Sequence, residues 1–226
     1  MFKRALIALA VVAFAAGSAA AGPASNATVS KDKRITSIPH GTAHFVPAIR
    51  PPRKLDVIFD NIGFLYPKGL YFCCYGYTVS GPSSQIGQTI WSASGFTPSK
   101  DMSVKLLEVA VGYVSGTNKV VISIADDNGG VPGNILGSWP VTNLGTFGTC
   151  CALAQLNVDH IHVTAGQQYW VIVGTDDSDA DTWAAWPFNS TDEIDPVPFA
   201  QYNDSSWTNY GGSIPGLSFA VYGKHS

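Results

Sequence analysis

Charge is scarce in this 226-residue chain: 13% of its residues are Asp, Glu, Lys or Arg, and only Glu108 and Glu193 are glutamates. A chain so sparsely charged and 46% apolar is neither a solvated disordered polymer nor a charge-laced coiled coil. Two glutamates leave little for the paired carboxylates of the usual glycosidase, although aspartates are numerous. No Gly-x-Ser-x-Gly elbow is present to carry a serine nucleophile. The 4 cysteines lack the two-residue spacer of zinc sites. No catalytic residue is assigned, and the reading is that of a non-enzyme.

What is present begins with an export signal. Met1, Phe2, Lys3 and Arg4 form a short cationic start, Ala5 to Ala16 an apolar run, and small residues follow through Ala21. The run is well short of the ~20 residues that cross a bilayer as a helix, so residues 1–21 read as a cleaved signal peptide rather than an anchor. Cleavage is expected after Ala21, with Ala20 the near alternative, and no cysteine follows to carry a lipid. The mature chain is expected to be secreted or held at the cell surface, with no transmembrane segment.

Residues 22–54 carry Pro23, Pro39, Pro47, Pro51 and Pro52 without sustained periodicity, and read as an extended or disordered leader. Their six basic residues against Asp32 give +5, whereas five basic residues against fifteen acids from Leu55 onward give −10. An acidic body repels nucleic acid, and the basic leader suits a tether to anionic envelope polymers.

Cys73-Cys74 and Cys150-Cys151 are two adjacent pairs, which in an exported chain read as disulfides. Neighbours on a strand face opposite ways, so antiparallel pairing would set Cys73 against Cys151 and Cys74 against Cys150. Vicinal bridges, which strain the intervening peptide, are the alternative.

From residue 55 to 223 the texture is that of one all-β domain. Short runs rich in Val, Ile, Tyr, Phe and Trp, among them 55–59, 70–79, 88–96, 119–126, 167–175, 182–188, 199–203 and 217–223, are bounded by Gly, Pro, Asn and Asp. Residues 103–114 alternate as one long strand with its odd-numbered side inward from Leu107. Asp127-Asn128-Gly129-Gly130 is a hairpin or loop signal. About ten such strands make an antiparallel sandwich or barrel.

The segments GFTPSKDMSVKLLEVAVGYV, ISIADDNGGVPGNILGSW, VTAGQQYWVIVG and LSFAVYG, over residues 85–223, resemble the bacterial choice-of-anchor R domain. The resemblance implies a secreted, jelly-roll-like sandwich at an extracellular or surface location, and no established activity. Members often end in a sorting or membrane segment; here the sequence reads Gly223-Lys224-His225-Ser226, which puts a C-terminal anchor in doubt.

Three clusters carry chemistry. Asp177, Asp179 and Asp181 recur at every second position, as a loop does when it wraps carboxylates around Ca²⁺, but the EF-hand glycine and glutamate are absent; a solvated acidic turn is the competing reading. His160 and His162 would share one strand face, as a metal pair does, or form an exposed pair in a loop. Trp183 and Trp186 fall on opposite strand faces, so at most one is expected in the core; the other, with Tyr202, Trp207 and Tyr210, could stack sugar rings of a surface polysaccharide. Core packing is the competing reading for these aromatics, and Trp91, Trp139 and Trp170 are assigned to the core. Sequons occur at Asn26, Asn189 and Asn203. A non-catalytic surface or envelope module is the leading expectation, a carbohydrate-binding module the second and a secreted hydrolase a distant third.

Overall fold

The computed structural model describes the backbone of residues 27–29, 34–37, 54–62, 71–148, 153–189, 198–211 and 216–225, and side chains from 54–62, 75–148 and the later stretches. The signal peptide and the four cysteine side chains lie outside the described residues, so the expected disulfide ladder does too. No described helix is long and apolar enough to cross a membrane.

The domain is an antiparallel β-sandwich of an 11-stranded and a 5-stranded sheet. In the large sheet the central path runs through β4 (Tyr71–Ser80), β5 (Ile90–Phe96), β12 (Tyr169–Gly174), β8 (Lys119–Asp127) and β9 (Pro132–Thr142). Branching from it, β13 (Trp183–Asn189) pairs with β4 and β7 (Gly112–Ser115), and β14 (Phe199–Asn203) bridges β5 to β15 (Ser206–Gly211). The small sheet orders β10 (Ala154–Asn157), β6 (Met102–Val109), β16 (Phe219–His225) and β3 (Asp56–Asp60), with β11 (His162–Val163) also on β6.

Alternation decides which side chains meet between the sheets. Val120, Ile122 and Ile124 of β8 and Tyr169, Val171 and Val173 of β12 pack against Leu107 and Val109 of β6 and Phe219 and Val221 of β16. Phe59 stacks on Phe219 with centroids 4.6 Å apart, which closes the edge of this core.

The segment 103–114 is two strands rather than one. Tyr222 pairs with Leu106 and Gly223 with Val104, so Lys105 is an extra residue in β6. A bulge of this kind reverses which parity faces inward: Met102 and Val104 are buried before it, Leu107 and Val109 after it. The chain then leaves the small sheet at Ala110-Val111 and enters the large one as β7.

Two short stretches of the leader are extended as strands. β1 (Ala27–Val29) and β2 (Arg34–Ser37) form an antiparallel pair, and β2 extends the large sheet by pairing Arg34 with Tyr77 of β4.

Candidate functional site

The face of the large sheet turned away from the small one is where the sequence supplies small residues. Strand register aligns them. Ala93 of β5 stands opposite Ile172 of β12 and Ala200 of β14; Ile172 stands opposite Ser123 of β8, which faces Ser138 of β9. One row along, Trp91 of β5 stands opposite Tyr202 of β14, and Tyr202 opposite Trp207 of β15. Directly opposed residues share a face of the sheet. The result is a low floor of Ala, Ser and Gly beside a ridge of aromatics.

That ridge is held rigidly. Trp91 stacks on Tyr202 with centroids 4.7 Å apart at 22°, and Trp207 meets Tyr202 edge-on at 5.7 Å. The Trp91 Nε1–H donates to Thr175 Oγ1 at 3.2 Å. Gly174 lies under the Trp91 indole: a Cβ there would come within 2.8 Å of its Cγ, so only glycine lets the ring lie flat on the strand.

Between this ridge and the edge strand β9 runs a groove of about 340 Å³. Trp91 and Trp207 form one wall and Pro132 and Ile135 the other, over Ile172 and Ser138. Ile135 keeps 53% of its surface exposed, the largest exposed fraction among the described bulky apolar residues. No charged side chain lines the groove among the described residues.

The β8–β9 turn closes one end of the outer face. Asp127 Oδ1 accepts from Trp170 Nε1 and Gln168 Nε2, both at 2.7 Å, and its Oδ2 accepts from Gly130 N. Asn209 of β15 donates to the Gly130 carbonyl, tying the turn across to the far hairpin. Gly130 has φ +90°, and a Cβ there would lie 2.8 Å from Asn209 Nδ2. The Asp-Asn-Gly-Gly signal therefore secures Trp170 and the floor beside it.

The expected site residues separate sharply. Trp207 lines the groove and Tyr202 supports it from behind, whereas Tyr210 lies on the opposite face against Phe199. Trp183 and Trp186 do face opposite ways, yet both are buried. Trp186 sits in the core between the sheets, and Trp183 packs with Val114, Phe147 and Ala185 in a satellite cluster. Neither can form a platform, which corrects the expectation that one would be free. The second groove tryptophan is Trp91, which composition had placed in the core; its indole is half-buried. Trp139 is likewise half-buried, and Trp170 is fully buried but on the outer face.

The three aspartates do not converge. Residues Asp177–Asp179 coil into a 3₁₀ turn, where roughly three residues per turn fan alternate side chains apart. The Asp179 carboxylate turns inward and accepts from Asp176 N at 2.5 Å, while Asp181 accepts from Thr117 N. Asp177 points to solvent. Among the described residues no group of three His, Cys, Asp or Glu side chains is placed to hold a metal ion, so the geometry fits the acidic-turn reading and not the calcium one. Lys119 occupies the position a cation would want, with its ammonium 2.7 Å from Asp176. His160 adopts φ 64° in a turn and His162 shares a 3.0 Å hydrogen bond with Ser103, so the two do not form a strand-face pair.

Glu108 is a perturbed carboxyl on the small sheet. Burial raises its pKa, against hydrogen bonds from Gln155 and Tyr222 that lower it. It lies on the outer face of the small sheet among Tyr222, Ala220 and Leu106. Asn189, one of the sequons, is buried in β13.

No protein-family model matches the chain, and no curated protein matches it. Two solved structures of infectious bursal disease virus, of the Gx and Gt strains, align with 85% of this chain at 12% identity and TM-scores of 0.22 and 0.23. The chain spans 43% and 46% of those viral chains. A likeness that slight carries no argument about role.

Proposed function

We propose that this protein is an exported, non-catalytic β-sandwich that binds carbohydrate in the outer-face groove. The observation that carries the proposal is the pairing of Trp91 and Trp207 along a groove floored by Ser123, Ser138 and Ile172. Pyranose rings present apolar C–H faces edged by hydroxyls. Half-buried indoles beside serine and threonine hydroxyls complement both features. The signal-like N-terminus and the resemblance to choice-of-anchor R domains support a secreted or surface location, where such a module would meet envelope or environmental polysaccharide.

A glycan array probed with the mature chain, followed by titration of intrinsic tryptophan fluorescence, tests the reading. Binding of at least one oligosaccharide is expected, and Trp207→Ala should weaken it about tenfold or more, equivalent to about 1.4 kcal/mol. Its melting temperature should barely move, because Trp207 is only half-buried. Silence across the array would reject carbohydrate binding and leave a structural module of the envelope.

A further inference from the structure

Building on the carbohydrate reading, we infer that the groove is selective for uncharged glycans, such as neutral hexose or pentose oligomers, over those bearing carboxylate, sulfate or phosphate.

The first ground is the lining. Its polar side chains are the hydroxyls of Ser123, Ser138 and Thr175, and none carries a charge. These hydroxyls are already engaged: Ser123 donates to Ser138 at 3.0 Å, and Thr175 accepts from Trp91. Neutral hydroxyls can accommodate the alcohols of a sugar, but they cannot offset the desolvation of an anion. The indole walls act in the same direction, since an aromatic face is electronegative and repels negative charge.

The second ground is the surrounding field. Residues from Leu55 onward sum to −10, and Asp127 at the end of β8 and Asp176 beside its start flank this face. Among the described residues, Lys119 is a cation on a strand that lines the groove and could attract an anionic ligand. It lies two residues before Val121 on the same side of β8, at the end of the groove. Its ammonium is instead held by Asp176 at 2.7 Å and by the Ser178 hydroxyl, so its charge is compensated before any ligand arrives. At the groove itself, acidic polymers thus meet carboxylates nearby and no charged side chain in the lining among the described residues.

The third ground is size. At about 340 Å³ the groove is near the lower end of the roughly 300–1,000 Å³ typical of small-molecule sites, enough for one or two sugar rings. A ligand this small has most of its ring substituents within reach of the groove, so a charged substituent could not easily remain in bulk solvent.

The test uses the full chain on an array that carries neutral β-glucan, xylan and mannan oligosaccharides beside polygalacturonate, alginate and heparin-type oligosaccharides of similar length. Binding lost in Trp207→Ala is the groove's share and excludes attraction of acidic glycans to the basic leader; in that share neutral oligosaccharides should bind at least about tenfold more tightly than acidic ones. Ser138→Lys, which places a cation on an exposed floor position, should raise acidic-glycan binding about tenfold or more while leaving the melting temperature close to wild type. Ser138→Arg provides the same charge should the lysine variant fold poorly. Trp207-dependent binding of acidic glycans as tight as that of neutral ones would overturn the inference and leave the carbohydrate reading standing. Folded lysine and arginine variants with acidic-glycan binding at wild-type level would also overturn it. Silence across both classes would remove the carbohydrate reading and this inference together.

Discussion

Replacing Trp186 with alanine should cost about 3–5 kcal/mol of stability, the range for removing a large aromatic from a packed core. Trp186 has no exposed surface and meets the Phe219 ring edge-on at 6.0 Å. Its Nε1–H donates to the Ser218 carbonyl at 3.0 Å, which also accepts from Ala110 N at 3.1 Å, so the truncation also removes one of two hydrogen bonds to a buried acceptor. Urea unfolding monitored by far-UV circular dichroism would give the change in midpoint. Trp186→Phe, which keeps most of the volume, should lose distinctly less. Trp207→Ala, on the groove wall, should stay within about 1 kcal/mol of wild type. The contrast separates the tryptophans by role: one holds the two sheets together, the other faces the groove. A Trp186→Ala midpoint indistinguishable from wild type would contradict the core described above.

Much of the sheet was legible because its strands obey simple alternation. KVVISIAD places Val120, Ile122 and Ile124 inward, and the structure buries all three. The inward parity of Leu107 and Val109 was also readable. What could not be read was the bulge at Lys105 and the passage to the second sheet at Ala110-Val111. No local signal marks a strand that changes sheets, because tertiary pairing with β16 and β13 decides it. β15 was missed for a different reason. Ser206–Gly211 is polar and largely exposed, and its extended form comes from pairing with β14 rather than from its own propensity.

The groove was hidden for a related reason. Ser123, Ser138 and Gly174 are unremarkable where they stand in three separate strands, and only register brings them to one floor. Small side chains on a sheet face are a deficit visible only in two dimensions. The aromatic pattern misled in a specific way. Trp183 and Trp186 do lie on opposite faces, but loops and a satellite cluster cover the outer one, so facing away from the core did not mean facing solvent. Trp207 and Tyr202 were recognisable because they sit in a Gly/Ser/Asn-rich stretch, and the structure keeps both of them beside the groove.

Stability should fall as pH rises from about 4 to 7, and Asp179 should account for part of that loss. Burial, followed by the hydrogen bond with Asp176, pushes the Asp179 carboxyl up to about 6, above the ordinary aspartate value of 3.8. A raised carboxyl contributes its full stability below the unfolded pKa and loses it as pH rises through the folded one. The window is therefore about 4 to 6. Glu108, also raised by burial, acts in the same direction. Asp176 does the opposite: the Lys119 ammonium, the Ser178 hydroxyl and Asp179 hold it well below the usual range. Its contribution is present above the ordinary aspartate value and is lost only in stronger acid. Asp179 and Glu108 thus favour the folded state on the acid side of neutrality, and Asp176 and Asp181 oppose them only in stronger acid. The full Asp179 shift would correspond to about 3 kcal/mol, but only a thin layer of protein covers this turn, and solvent screening reduces the expected effect to about 1–2 kcal/mol. Asp179→Asn can still accept the Asp176 N–H bond while removing the titration. Unfolding free energies measured in urea from pH 4 to 8 should show a shallower decline for this variant. Parallel curves for wild type and variant would mean that Asp179 ionises freely in the folded chain.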